Sequence, residues 1–300
     1  MTESAPIRGD VPACVAGLYV YPVKSCAGVA LDAATLAPTG LALDRTWMVV
    51  DAQGAFLTQR QWPRMALVRP RIGARELTLH APGMPPLAVP IDPASKTPLR
   101  VRVWRDSVDA WDAGDAAGQW FSGFLQQPGL RLARFNPAAR RLSDLAWTDG
   151  IEAPNQFADG YPLLVLSDTA LTHLNQRLRR ADPAQPPVTL ARFRPSVVLS
   201  GLAAHDEDHL ADIRIATQGG GTVRIRPVKP CTRCPIPDLD PDTAAPDPRV
   251  LAALAAYRAD PRVNGALTFG MNAIILEGIG QTLRVGDAVE ADWNFQDTAG

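Results

Sequence analysis

The sequence predicts an α+β protein that is mostly β, with a few short helices. Three observations carry that expectation. Short segments rich in β-branched and aromatic residues recur between turn signals. The 300 residues include 28 prolines and 23 glycines, too frequent a punctuation for many long helices. Helical periodicity is confined to a few stretches.

Residues 15–23 (VAGLYVYPV), 46–51, 55–58, 77–79, 99–104 and 107–111 are strand candidates. Their spacing suggests a barrel or sandwich rather than βαβ units. A helix interrupts them near 115–125, with Trp120, Phe121 and Phe124 at helical spacing and Asp115 as a candidate cap. Residues 131–135 resume as a strand. The polar stretch 136–157, holding Pro137 and Pro154, reads as a connection able to cover a site. A strand at 163–166 leads to Ser167 and Asp168, candidate N-caps of a helix to about residue 180 with Leu171, Leu174 and Leu178 on one face. Strands are expected at 196–199, 213–216, 222–228, 273–276 and 288–293, and a short helix at 250–257 after Pro248. Trp47, Trp104 and Trp111 read as core, and Cys26 as a small buried residue.

Hydrophobic residues make up 46% of the chain and charged residues 20%, enough apolar surface for a sizeable core. The length suggests two domains or one large β-rich one. A formal net charge of −1 gives no global field to hold a nucleic-acid backbone, which excludes that partner class. No run approaches the ~20 apolar residues of a membrane span, and residues 1–12 carry no apolar secretory core. The expected setting is therefore cytoplasmic, without membrane contact. There the four cysteines, Cys14, Cys26, Cys231 and Cys234, read as thiols or metal ligands.

The sharpest local feature is Pro227-Val-Lys-Pro-Cys231-Thr-Arg-Cys234-Pro-Ile-Pro-Asp-Leu-Asp240-Pro-Asp-Thr243. Flanking prolines stiffen the loop, and Arg233 would favour a neighbouring thiolate, the form that binds metal. Four readings follow. One is a pair of thiols in a turn. Another is a zinc site completed by His205 and His209, which would make the chain a zinc-stabilised binding module. A thioredoxin-like dithiol is the third, although Pro235 and Pro237 leave little room for the helix it needs. The fourth is a soft transition metal held by one thiolate. Asp240 is a candidate proton donor.

Motifs along the whole chain bear on this choice. Tyr21-Pro-Val-Lys24-Ser25-Cys26-Ala-Gly28, Asp44-Arg45 with Trp47, and Thr58-Gln59-Arg60 resemble the N-terminal β-barrel domain of MOSC proteins. Leu166-Ser167, Leu174-Asn175, Arg192-Phe-Arg194-Pro195, the Cys231-Thr-Arg-Cys234 loop, Asp240-Pro-Asp-Thr243, Phe269-Gly270 and Val285-Gly-Asp287 resemble the MOSC domain in order. The resemblance extends to the mitochondrial amidoxime-reducing components and the bacterial MOSC reductases of N-hydroxylated compounds. It implies an N-terminal β-barrel region (13–140) packed on a MOSC β-barrel (141–296), with a cofactor in the cleft between them. It also implies a molybdenum cofactor (Mo-molybdopterin) with Cys234 as the metal's protein ligand and Cys231 beside it. By the same resemblance Lys24, Ser25, Arg45, Ser167 and Arg194 bind the cofactor, and pyridoxal phosphate binding is a further expectation.

The implied activity is reduction of hydroxylamines, amidoximes and N-hydroxylated bases, small-molecule substrates all. A cofactor carrier or sulfur-transfer protein is the alternative. Ser196 stands where the amidoxime-reducing relatives carry an amide, and Pro235 and Pro237 replace less rigid residues. No cysteine follows Cys234, so electrons are expected from a separate flavin, haem or iron–sulfur protein.

Overall fold

The computed structural model describes residues 11–294. Its N-terminal half contains β1 (Val11–Val20), β2 (Val29–Leu31), β3 (Ala33–Ala37), β4 (Gly40–Leu41), β5 (Trp47–Val50), β6 (Arg69–Ile72), β7 (Glu76–His80), β8 (Leu87–Pro90), β9 (Pro98–Val103), β10 (Asp106–Asp112), α1 (Asp115–Leu125) and β11 (Arg131–Phe135). The C-terminal half contains β12 (Leu163–Ser167), α2 (Asp168–Ala181), β13 (Val197–Ser200), β14 (Leu210–Ala216), β15 (Thr222–Thr232), α3 (Arg249–Ala255), β16 (Ala259–Asp260), β17 (Ala266–Glu277), β18 (Thr282–Arg284) and β19 (Ala288–Trp293). The protein is α+β and mostly β.

Seven strands close into a barrel in the order β12-β13-β1-β19-β14-β15-β17, with β17 returning to β12. All neighbours are antiparallel except β12 and β13. Alternation sets the inside: on β14, Leu210, Ile213 and Ile215 are buried, and on β15, Val223 and Ile225. These join Val15, Leu18, Val165 and Val197 in one core. β12 is buried at every position because α2 packs outside it, as the parallel β12–β13 pairing with its helical crossover requires.

The strand that completes this barrel is β1, which the sequence motifs group with the N-terminal domain. Closure leaves the barrel without free edges there. It also ties the loop that follows β1, which carries Tyr21, Lys24 and Ser25, to the barrel. In the N-terminal half β2 pairs with β1 and β3-β4 form a small sheet with β18, while the remaining strands form a four-stranded sheet (β5-β11-β10-β9) and a three-stranded meander (β6-β7-β8), with α1 packed on β11 and β8. Trp47, Phe121 and Phe124 are fully buried in the core beneath them.

Several expectations are revised. Residues 55–58 make only isolated bridges, from Phe56 to Val50 and Ala55 to Arg102. β6 and β8 were not anticipated; Pro70 and Pro90 mask them, and prolines are tolerated there because the meander is short and edge-rich. Helix α1 starts as expected, but Gly114 occupies its N-cap and Asp115 pairs with Arg131 instead. Trp104 lies at the β9–β10 turn and is 43% exposed, so it is not core.

Because β1 is a stave of the closed barrel, Leu18→Ala removes packing from the C-terminal core. The expected cost is about 2–5 kcal/mol, read from urea denaturation. A cost below about 1 kcal/mol would mean that the barrel does not depend on the chain's first strand.

Candidate functional site

A cavity of about 1210 Å³ opens between the two halves, lined by both. Lys24, Arg45, Arg60 and Arg105 face it from the N-terminal half, and Arg141, Arg192, Arg194, Lys229 and Arg233 from the remainder. Against these nine cations stand three carboxylates, Asp106, Asp144 and Asp159. A chain with net charge −1 has thus concentrated a formal excess of six positive charges (nine minus three) on one concave surface. Low-dielectric walls focus such a field and draw in anions.

The densest part centres on Tyr21, which leaves the end of β1 and is 2% exposed. The guanidinium carbons of Arg45 and Arg194 each lie 4.2 Å from its ring centroid. Gly28 passes so close that a Cβ there would fall 2.5 Å from the ring. Arg45 donates to Asp44 (2.5 Å) and to the Arg194 carbonyl (3.2 Å), while Arg194 donates to the Cys26 carbonyl (2.7 Å). Burial, then the nearby Arg45 charge, pulls the Arg194 guanidinium down to about 10, so it stays charged at neutral pH. Ser25, Arg45 and Arg194 all have positive φ, at 66°, 48° and 58°. Non-glycine residues held there store strain of order 1–3 kcal/mol each, a cost that gathers at binding sites.

Lys24 donates to Asp159 (2.5 Å) and to the Phe157 carbonyl (2.8 Å). Burial depresses its pKa, opposed by Asp159. Desolvation pushes the Asp159 carboxyl up, but Lys24 and the Trp104 indole N–H outweigh it and hold it below the usual carboxylate range. The Ser25 carbonyl accepts from Gln59 (2.7 Å), which fixes the loop.

Strand β15 delivers Cys231 to the wall of the same cavity, and Cys234 follows on the loop before a 3-10 turn at Ile236–Asp238. Both are free thiols. Burial raises the Cys231 pKa, partly offset by Arg233. The Arg233 guanidinium donates to the carbonyls of Phe269 and Phe193 (2.5–3.1 Å). It clamps the loop to β17 and to the segment before β13. Gly270 permits that register: its φ is +77°, and a Cβ would meet the Val165 carbonyl at 2.7 Å.

Residues 12–128 match the model of the MOSC N-terminal beta barrel domain, and residues 152–290 that of the MOSC domain. The mouse mitochondrial amidoxime-reducing component 1 is 35% identical over 287 residues, covering 92% of this chain and 81% of the relative. The human protein of that name is 33% identical, covering 92% and 82%. The chain belongs to the MOSC family. The human molybdenum cofactor sulfurase is 29% identical across 87% of this chain, which spans 30% of that longer protein.

The residues present fit the molybdenum cofactor associated with MOSC proteins. Its phosphate calls for cations, and the cavity has an excess of them. Soft metals take thiolate ligands, and the Cys231–Cys234 pair opens into the cavity. Two lining hydroxyls, Ser143 Oγ and Tyr161 Oη, are buried with no hydrogen-bond partner in the protein. Buried polar atoms without partners point to an absent ligand or water.

Of the expected site residues, Lys24, Ser25, Arg45, Arg194 and Cys234 line this MOSC cavity. Two do not. Ser167 is fully buried, and its Oγ accepts from Ala170 N (3.2 Å) as the N-cap of α2. Asp240 sits in its own turn, accepting from the backbone of Asp242 and Thr243 and from the Thr243 hydroxyl, and pairing with Arg192. Desolvation opposes the shift, but these bonds lower its pKa, and the carboxylate is occupied within its own turn. The zinc reading also fails. His205 points at His173 (3.3 Å) and packs on Phe269 and Tyr257. Among the described residues, no three or more His, Cys, Asp or Glu side chains are placed to hold a metal.

Sequence reasoning missed Arg141, which donates to Asp106 and to the backbone of Gln156, Ala158 and Asp159, folding the connection over the cavity. It also missed how Arg192 holds the loop after Cys234, through the Pro237 carbonyl and Asp247. Neither lies in a periodic pattern; Arg141 follows Arg140 in the polar connection, and Arg192 was read only as part of the Arg192-Phe-Arg194-Pro195 motif.

Behind Ser167, Glu207 is wholly buried, and burial, with Asp208 nearby, raises its pKa from 4.5 to about 7. A raised acid contributes stability fully below about pH 4.5 and loses it as pH climbs through about 7. Glu207→Gln removes that loss. It is expected to stabilise the fold by up to about 3 kcal/mol at pH 8 and by under about 1 kcal/mol at pH 5, in denaturant titrations at both pH values. Equal effects at the two pH values would contradict the assignment.

Proposed function

We propose that this MOSC protein is a molybdenum-cofactor-dependent oxidoreductase that reduces N-hydroxylated compounds. The observation that carries the reading is the shared cavity. One wall holds Cys234 on a clamped loop, and Lys24, Ser25, Arg45 and Arg194 face the same space. The similarity to amidoxime-reducing components over 92% of the chain supports the reaction class.

Lys24, Arg45 and Arg194 would hold the cofactor's phosphate, the arginines by paired N–H donors, and Ser25 would add a hydroxyl. Cys234 would supply the metal's protein thiolate, and Cys231 would stay beside it. The bound cofactor supplies two-electron redox chemistry at a metal that accepts oxygen. In the overall change an N–OH bond breaks, two electrons and two protons are taken up, and an N–H product and water leave. Electrons come from a separate flavin, haem or iron–sulfur protein. The chain's own contribution is position, charge and exclusion of water: the 141–162 connection, folded by Arg141, walls one side.

No described helix is long and apolar enough to cross a membrane, and a cytoplasmic setting stays part of the proposal. Pyridoxal phosphate binding is left out of the proposal, which assigns the cavity cations to the molybdenum cofactor. The similarity to the molybdenum cofactor sulfurase favours one second reading, a cofactor or sulfur carrier.

Elemental analysis of protein from a host that makes the cofactor tests the proposal. Wild type and Cys231→Ala are expected to carry about one molybdenum per chain and Cys234→Ala none, with amidoxime reduction lost only in the last. Full metal and activity in Cys234→Ala would overturn the reading. Metal without turnover, with transfer of cofactor to an apo-enzyme, would favour the carrier.

A further inference from the structure

Among the described residues most large apolar side chains are buried, and four stand out as exposed: Trp104, Leu145, Ile279 and Val285. Two of the four, Trp104 and Leu145, line the cavity. They come from different parts of the chain, the β9–β10 turn and the 141–162 connection. An exposed indole contributes little to folding, yet here directed contacts hold it in place. Its Nε1 donates to Asp159 (3.2 Å), the carboxylate that also pairs with Lys24. Phe56, another lining residue, meets it edge-on at 5.0 Å. Its backbone is locked at φ 54°. A fixed, solvent-facing aromatic in strained backbone at a cavity wall has the properties of a ligand platform.

The ring's chemistry narrows the ligand. The exposed Arg60 places its guanidinium 4.7 Å from the Trp104 centroid. A guanidinium is a planar, conjugated N–C–N cation, and the amidine left when an amidoxime loses its oxygen is another. The indole face therefore stacks flat conjugated groups, and an aryl ring joined to the N–C–N unit offers it more area than a methyl group does. Arg60, long and solvent-exposed, can yield that face at little cost.

We propose that Trp104 is a specificity-determining residue that stacks flat, aryl-conjugated amidoximes at the cavity wall, with Leu145 adding apolar contact, and so favours them over small aliphatic ones. This rests on the reductase reading for its substrate class. Stacking on an aromatic side chain is lost on truncation to alanine and largely kept on replacement by phenylalanine.

The test compares benzamidoxime with acetamidoxime on the wild type, Trp104→Ala and Trp104→Phe, all carrying cofactor. Binding is read by calorimetry and turnover by steady-state kinetics. Trp104→Ala is expected to weaken benzamidoxime binding and raise its KM about tenfold or more. The acetamidoxime values should move less than about twofold, kcat should hold for both, and Trp104→Phe should recover most of the loss. Equal weakening for both compounds, or no change for either, would overturn the platform. Aryl-selective binding that depends on Trp104, with no reduction of either compound, would leave the platform standing and sink the reductase reading. Turnover without selectivity would do the reverse.

Discussion

The site depends on one buried ring. Tyr21 carries the guanidinium of Arg45 from the N-terminal half and that of Arg194 from the segment leading to β13. Two like charges are thereby brought to a common aromatic surface with a single carboxylate, Asp44, bonded to one of them. Cation–π contacts are worth ~0.5–2 kcal/mol each, too little to neutralise two desolvated cations. The remaining positive potential faces the cavity. An anion bound there would relieve the repulsion that the fold tolerates in its absence. The same ring joins the halves mechanically, since Tyr21 follows directly from β1, the strand that closes the C-terminal barrel.

Closure of that barrel explains why the halves cannot be read as beads on a string. The chain enters through the second domain's barrel, leaves to build the N-terminal sheets, and returns at β12. The loop at 21–28, with Lys24 on it, is therefore anchored on the barrel, while Arg45 enters from the N-terminal side, paired with Asp44. The connection at 141–162, folded by Arg141, completes the enclosure and brings Asp159 to Lys24 and to Trp104. Binding residues, loop clamp and cavity wall thus share a few buried arginines and backbone carbonyls. The polar network is costly unless fully satisfied, which accounts for the directed bonds of Arg141, Arg192 and Arg233.

Much of this was legible in the sequence, for physical reasons. Alternation and turn residues reveal β15, β17 and the helices α1 to α3, because these elements bury one face or one stripe. The Cys231–Cys234 loop and the positions of Lys24, Ser25, Arg45 and Arg194 were found through ordered motifs. What was not legible depends on long-range pairing or on local competition. Nothing in the pattern of β1 states that it pairs with β13 and β19. Ser167 belongs to the MOSC-like pattern, but a serine before a helix is first a cap, and there the local hydrogen bond won. Asp240 is consumed by its own turn for the same reason. Trp104 looked like core because tryptophan is large and apolar; a tight turn with positive φ sent it outward instead.

The most direct test of the account is an experimental structure of the protein loaded with molybdenum cofactor. The metal is expected on Cys234 Sγ and the phosphate among Lys24, Arg45 and Arg194, in the cavity between the halves. Metal on any other side chain, or a phosphate away from the Tyr21 arginines, would contradict it.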